Sequence, residues 1–131
     1  MDANMWASIE ELRKMLDAHH AAAGQDVLPQ RLLKIIEEVG ELSQAYQGFI
    51  GANPRKGVTH TQEDVLMEVC DVIIAAAVTL ATLSSDPDST LRRNVEHVAK
   101  RALSEAVESP DRTDGGGPIG RWDGVARSDR P

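Results

Sequence analysis

Aromatic side chains are almost missing from this sequence: two Trp, one Tyr and one Phe in 131 residues. A chain of this length makes one modest domain, and its interior must be filled by aliphatic residues and Ala. A single cysteine, Cys70, rules out an intrachain disulfide and fits a reducing compartment, so a cytoplasmic location is expected. There is no basic excess. Twenty-one acidic against fourteen basic residues give a net charge of −7, which argues against a nucleic-acid backbone as the main partner. Such a body can hold an anion like a nucleotide only with a cation between them. The N-terminus lacks the charged-then-apolar pattern of a signal peptide. The longest apolar run, residues 65–83, is interrupted by Glu68 and Asp71, so no membrane span is expected.

What is present is helical patterning. Trp6, Ile9, Leu12 and Leu16 recur at three- and four-residue steps and predict a helix over residues 5–22, closed by Gly24. Pro29 opens a second helix, to about residue 50, with an apolar stripe of Leu32, Ile35, Ile36, Val39, Leu42, Tyr46 and Phe49. Residues 51–60 read as a loop. Thr61 with Asp64 forms a capping-box pattern for a third helix, to about residue 83, which is apolar nearly all round and implies burial on several sides. Asp86-Pro87 starts a fourth helix whose buried face is marked by Leu91, Val95, Val98 and Ala102. The fold expected is all-α, a four-helix bundle over residues 1–109. Residues 110–131, rich in Gly, Pro, Asp and Arg, have too little apolar content to fold and are expected to be a disordered tail. Trp122 within it reads as a solvated residue, Trp6 as a core residue and Cys70 as packing on a buried helix.

Two helices carry the chemistry. Glu68 and Asp71 are the only charged residues between positions 65 and 83, and their three-residue spacing puts them on one face. A buried carboxylate needs a cationic partner or a metal. Glu37, Glu38 and Glu41 follow one arc of the second helix, about 100° wide. An antiparallel hairpin joined near residues 51–60 pairs positions whose numbers total about 110, and this matches Glu41 to Glu68 and Glu38 to Asp71. Four carboxylates at one level would repel unless some protonate or a cation enters. Hard oxygen ligands favour Mg²⁺, with Mn²⁺ as a substitute. A structural salt-bridge cluster is the alternative.

Glu37-Glu38-Val39-Gly40-Glu41, then 26 residues, then Glu68-Val69-Cys70-Asp71, resembles the EExxE…ExxD signature of the MazG-like all-α nucleotide pyrophosphohydrolases. The resemblance covers about residues 5–105. It implies a homodimer or homotetramer and Mg²⁺-dependent hydrolysis of a (deoxy)nucleoside triphosphate to the monophosphate and pyrophosphate. It makes Glu38, Glu41, Glu68 and Asp71 the metal ligands. Glu37 or Glu41 would orient the attacking water or accept its proton. Lys100 and Arg101 match the family's downstream basic segment, with Ser104 where its Asn stands. With Arg55 and Lys56 of the loop they are the candidate substrate-binding residues.

Other readings stay open. A dUTPase-like or phosphoribosyl-ATP pyrophosphatase-like substrate would use the same metal chemistry. A di-iron carboxylate bundle needs Glu-x-x-His pairs, and the sequence has none. A catalytically silent nucleotide-binding or partner-binding module is the reading outside the enzymes.

Overall fold

The computed structural model describes residues 1–108, with side chains to residue 105. Among them it contains four α-helices and no strand: α1 (Ala3–Ala22), α2 (Val27–Phe49), α3 (Gln62–Leu83) and α4 (Pro87–Glu108). The expected tail, including Trp122, lies outside the described residues.

Local chemistry accounts for the helix ends. The Asp2 side chain accepts the Met5 amide and caps α1. Past its C-cap, Ala23, the chain turns through Gly24 at φ 65°, a left-handed conformation that favours glycine. The capping box at Thr61 and Asp64 forms in both directions and opens α3. Asp86 accepts the Ser89 amide at 3.1 Å where α4 begins. Pro29 proves to be the third residue of α2, not its first.

The chain divides into two compact units between Leu91 and Arg92, inside α4. The first unit holds α1, α2, α3 and the first turn of α4; α2 and α3 pair most extensively, and α1 packs mainly on α3. Its core is built from Ile9, Ala77 and Val78, with Trp6, Leu12, Leu16 and Ala81 against them. Trp6 is half-buried and donates from Nε1 to Asp88 at 2.8 Å, so the indole packs at one end and stays polar at the other.

The buried side of α2 differs from the expected stripe. Leu32, Ile36, Val39 and Tyr46 are exposed, while Arg31, Glu38 and Ala45 are buried and Ile35, Leu42 and Phe49 half-buried. The inward residues step by four and three, and the outward ones by four, three and seven; the sequence carries two neighbouring apolar stripes, and the more polar one is turned inward. α3 also buries less than its composition implied: Leu66, Met67, Val69, Ile73 and Ile74 are exposed, and so is Cys70, expected to pack inside. By length and composition α3 is able to cross a membrane, and in this unit it packs on α1 and α2. In the second unit Val95, Val98 and Ala102 are exposed, so the buried face expected for α4 does not form there.

Two constraints hold α2 in place. Arg31, 5% exposed, donates from Nη2 to Asp17 Oδ1 of α1 at 2.7 Å and to the Arg13 carbonyl at 3.5 Å. At the other end the chain returns over Gly48: the Thr59 amide donates to the Gly48 carbonyl at 3.0 Å. A Cβ on Gly48 would sit 2.0 Å from His60 Nδ1 and 2.6 Å from Thr59 Oγ1, so only glycine permits this approach.

These constraints make two stability predictions. Gly48→Ala should destabilise the protein by about 1–3 kcal/mol through overpacking, whereas Gly40→Ala, mid-helix with nothing within 4 Å of the new Cβ, should stabilise it by about 0.5–1 kcal/mol. Denaturant midpoints of the two variants are expected to move in opposite directions. Asp17→Asn removes the anion facing a buried guanidinium and should cost about 3 kcal/mol, measured as a lowered melting temperature at neutral pH.

Candidate metal centre

α2 and α3 bring Glu38, Glu41 and Glu68 together. Each offers a carboxylate oxygen, and these oxygens lie within 4.8 Å of one another. The hairpin brings this about: Glu38 and Glu41 share one face of α2 at three-residue spacing, and the closure between Gly48 and Thr59 sets the register that faces Glu41 with Glu68. Glu38 is 7% exposed, Glu68 half-buried and Glu41 exposed, so the group runs from the helix interface to solvent. Asp71 stands outside this trio. It lines, with Glu38, a cavity of about 220 Å³ between the first three helices, floored by Leu12, Leu16, Ile74, Ala75 and Val78. Glu37 is exposed and also outside the trio.

The electrostatics follow from the crowding. Glu41 holds its proton above the usual carboxylate range, first through a hydrogen bond with Glu38, then through the charge of Glu38, some desolvation and the charge of Glu68; Lys34 opposes the shift. Lys34, one turn before the motif, places its ammonium 2.7 Å from Glu38 Oε1 and 3.0 Å from Glu37 Oε1, and these two carboxylates raise its pKa. Glu68 differs. Its Oε2 is buried with no hydrogen-bond partner, and no cation pairs with Glu68 among the described residues. A structural salt bridge at Glu68 is therefore not what the geometry contains. An orphaned carboxylate oxygen beside two more carboxylates is a donor set of hard oxygens, and it fits a small divalent cation.

The candidate substrate-binding residues are not brought to these carboxylates within the first unit. Lys56 lines a separate cavity of about 230 Å³ with Gln44, Gln47, Asn53, Thr59 and His60. Arg55 is exposed in a turn where its amide donates to Asn53 Oδ1. Lys100 and Arg101 belong to the second unit and are exposed, with Arg101 3.9 Å from Glu105. The cations that do stand at the site are Lys34 and Arg31, which line the cavity with Glu38 and Asp71. Sequence reasoning passed over both. The signal for Lys34 was available in its spacing of three and four from Glu37 and Glu38, which places an ammonium on that carboxylate arc. For Arg31 only the tertiary structure tells.

Compared with known proteins, the chain matches no family model, no curated protein and no solved structure.

The crowding predicts how the metal-free protein responds to charge removal. Because the folded state raises the pKa of Glu41, the stability it contributes is fully present below the ordinary value near 4.5 and is lost as pH rises through the raised value. In EDTA, the melting temperature of wild type relative to Glu41→Gln should therefore fall as pH rises above about 4.5. Glu68→Gln should leave the metal-free protein at least as stable as wild type at pH 7, since it removes a like charge and strands no cation. Loss of about 3–5 kcal/mol in that variant would show Glu68 to be one half of a structural ion pair.

Proposed function

We propose that the protein is a Mg²⁺-dependent nucleoside triphosphate pyrophosphohydrolase of the MazG-like all-α type, acting in the cytoplasm on (deoxy)nucleoside triphosphates. The observation that carries this reading is the convergence of Glu38, Glu41 and Glu68 around an unpartnered buried oxygen of Glu68. The motif spacing supports it. So does the acidic body, which needs a cation to accept a nucleotide.

In this reading Glu38, Glu41 and Glu68 hold Mg²⁺ or Mn²⁺, with Asp71 on the cavity side. The bound cation would neutralise triphosphate charge and ease deprotonation of a water. The chain's own part is orientation and proton handling. Glu41 stands at the exposed edge of the group and Glu37 on the adjoining arc, so either can align a water on the α-phosphorus and accept its proton. The water oxygen forms the new bond to the α-phosphorus, the bond to the α–β bridging oxygen breaks, and pyrophosphate leaves with the electron pair. As contacts to the phosphates, Arg55, Lys56, Lys100 and Arg101 rest on the sequence pattern alone.

A homodimer or homotetramer is part of the proposal. Leu32, Ile36, Val39 and Tyr46 of α2 and Leu66, Val69 and Ile73 of α3 are exposed apolar residues that a second copy would cover.

Two measurements test the reading. With Mg²⁺ and a panel of canonical and modified nucleoside triphosphates, ion-exchange chromatography should show monophosphate and pyrophosphate; diphosphate and orthophosphate as main products would overturn it. Mg²⁺ at 100 times its dissociation constant should stabilise the folded state by about 2.7 kcal/mol. That raises the melting temperature by about 5–15 °C, a shift that Glu68→Gln should blunt while abolishing turnover.

A further inference from the structure

Two cations line the cavity beside the carboxylates, and they differ in how free they are to act. Arg31 is committed. Its Nη2 is bound to Asp17 and to the Arg13 carbonyl, and its Nε is shut off from solvent. Lys34 is not. Its side chain is about half exposed at 50%, and it is held by carboxylates three and four residues along its own helix, Glu37 and Glu38. The pair with Glu37 is exposed on both sides and of the weak kind, and the pair with Glu38 is open to solvent on the lysine side. Lys34 thus sits on Glu38, the most buried of the three acidic residues, and lines the cavity beside it.

The charge balance gives this placement a consequence. Without a metal, Lys34 is the cation that offsets Glu38. A divalent cation among Glu38, Glu41 and Glu68 takes over that task and leaves the ammonium free for another anion. The proposed substrate brings one, a polyphosphate of high negative charge. Lys34 needs no movement of the backbone to be there, since α2 fixes it one turn from Glu38.

Resting on the metal reading above, we propose that Lys34 is a polyphosphate-binding residue whose ammonium leaves Glu38 and takes a phosphate oxygen when a divalent cation and its polyphosphate settle on the carboxylates. Lys34 is then both the counter-ion of Glu38 before the metal binds and the first protein contact of the incoming phosphates. A lysine, a compact point charge on a flexible stem, suits such an exchange better than the planar fork of an arginine fixed in a bidentate pair.

The test is calorimetric and needs no turnover. Mn²⁺ alone, and then inorganic triphosphate in the presence of excess Mn²⁺, are titrated into the full chain as wild type, Lys34→Met and Lys34→Arg. Lys14→Met serves as a control that removes an exposed charge paired with Glu11 on α1. Lys34→Met should bind Mn²⁺ at least as tightly as wild type, because a competing cation is gone, and should bind triphosphate at least tenfold more weakly. Lys34→Arg should recover most of that loss, and Lys14→Met should match wild type. Unchanged triphosphate affinity in Lys34→Met, with Mn²⁺ still bound, overturns the role of Lys34 and leaves the metal reading standing. Loss of Mn²⁺ binding in Lys34→Met also overturns it, making Lys34 a positioning residue for Glu38. Failure of wild type to bind Mn²⁺ overturns the metal reading itself and this proposal with it.

Discussion

Like charges that share one helix interface set the terms for the rest of this protein. Glu38, Glu41 and Glu68 present oxygens within 4.8 Å of one another where α2 meets α3, and ionised carboxylates so placed repel strongly in a partly desolvated setting. The pairing of α2 with α3 is nonetheless the largest in the unit. The carboxylates must therefore be carried by packing on either side of them, Arg31 and Ile35 toward one end and Leu42, Ala45 and Phe49 toward the other. Relief comes from local means: the Glu41 carboxyl, whose pKa the neighbouring carboxylates raise, and the ammonium of Lys34. A site that stores repulsion in this way could hold a cation.

The anchoring follows the same logic at a second place. Arg31 is buried between α1 and α2 because Asp17 meets it, and Asp17 is also an ion-pair partner of Arg13 one turn earlier on α1. This small network sets α2 against α1 without aromatic side chains, of which the composition supplies few. Ile9, Ala77 and Val78 form a core of modest volume, and no described side chain is completely sealed from solvent. In such an interior, charge pairs and close backbone approaches at Gly48 carry positional information that aromatic packing carries elsewhere.

Helix content and helix limits were legible in the sequence because periodicity, the Thr61–Asp64 box and the Asp86-Pro87 cap are local signals. The meeting of Glu38, Glu41 and Glu68 was legible too, since a ten-residue connection leaves an antiparallel hairpin little freedom of register. The inward face of α2 was not. Leu32, Ile36 and Val39 make a stripe as good as Ile35, Leu42 and Phe49, and helical periodicity ranks an apolar stripe above one containing Arg31 and Glu38. What decides is the ion pair with Asp17 and the facing Glu68, both non-local. The expected burial of Val95 and Val98 went astray for a related reason: amphipathicity shows that a helix has an apolar side and does not supply the surface that covers it.

The hairpin also bears on how the molecule assembles. Glu41 and Glu68 are 27 positions apart, and the loop between their helices is short and tied down by the Thr59–Gly48 bond. Contacts of such low sequence separation have a small loop-closure cost and tend to form early. The docking of α1 on the far part of α3, where Ile9 meets Ala77 and Val78, spans nearly 70 positions and comes later on this reasoning. The carboxylates thus approach one another while the chain is still largely open. Their repulsion belongs to the folding barrier as well as to the native state, so ionic strength enters the rate at which the chain folds, not only the stability of the folded form.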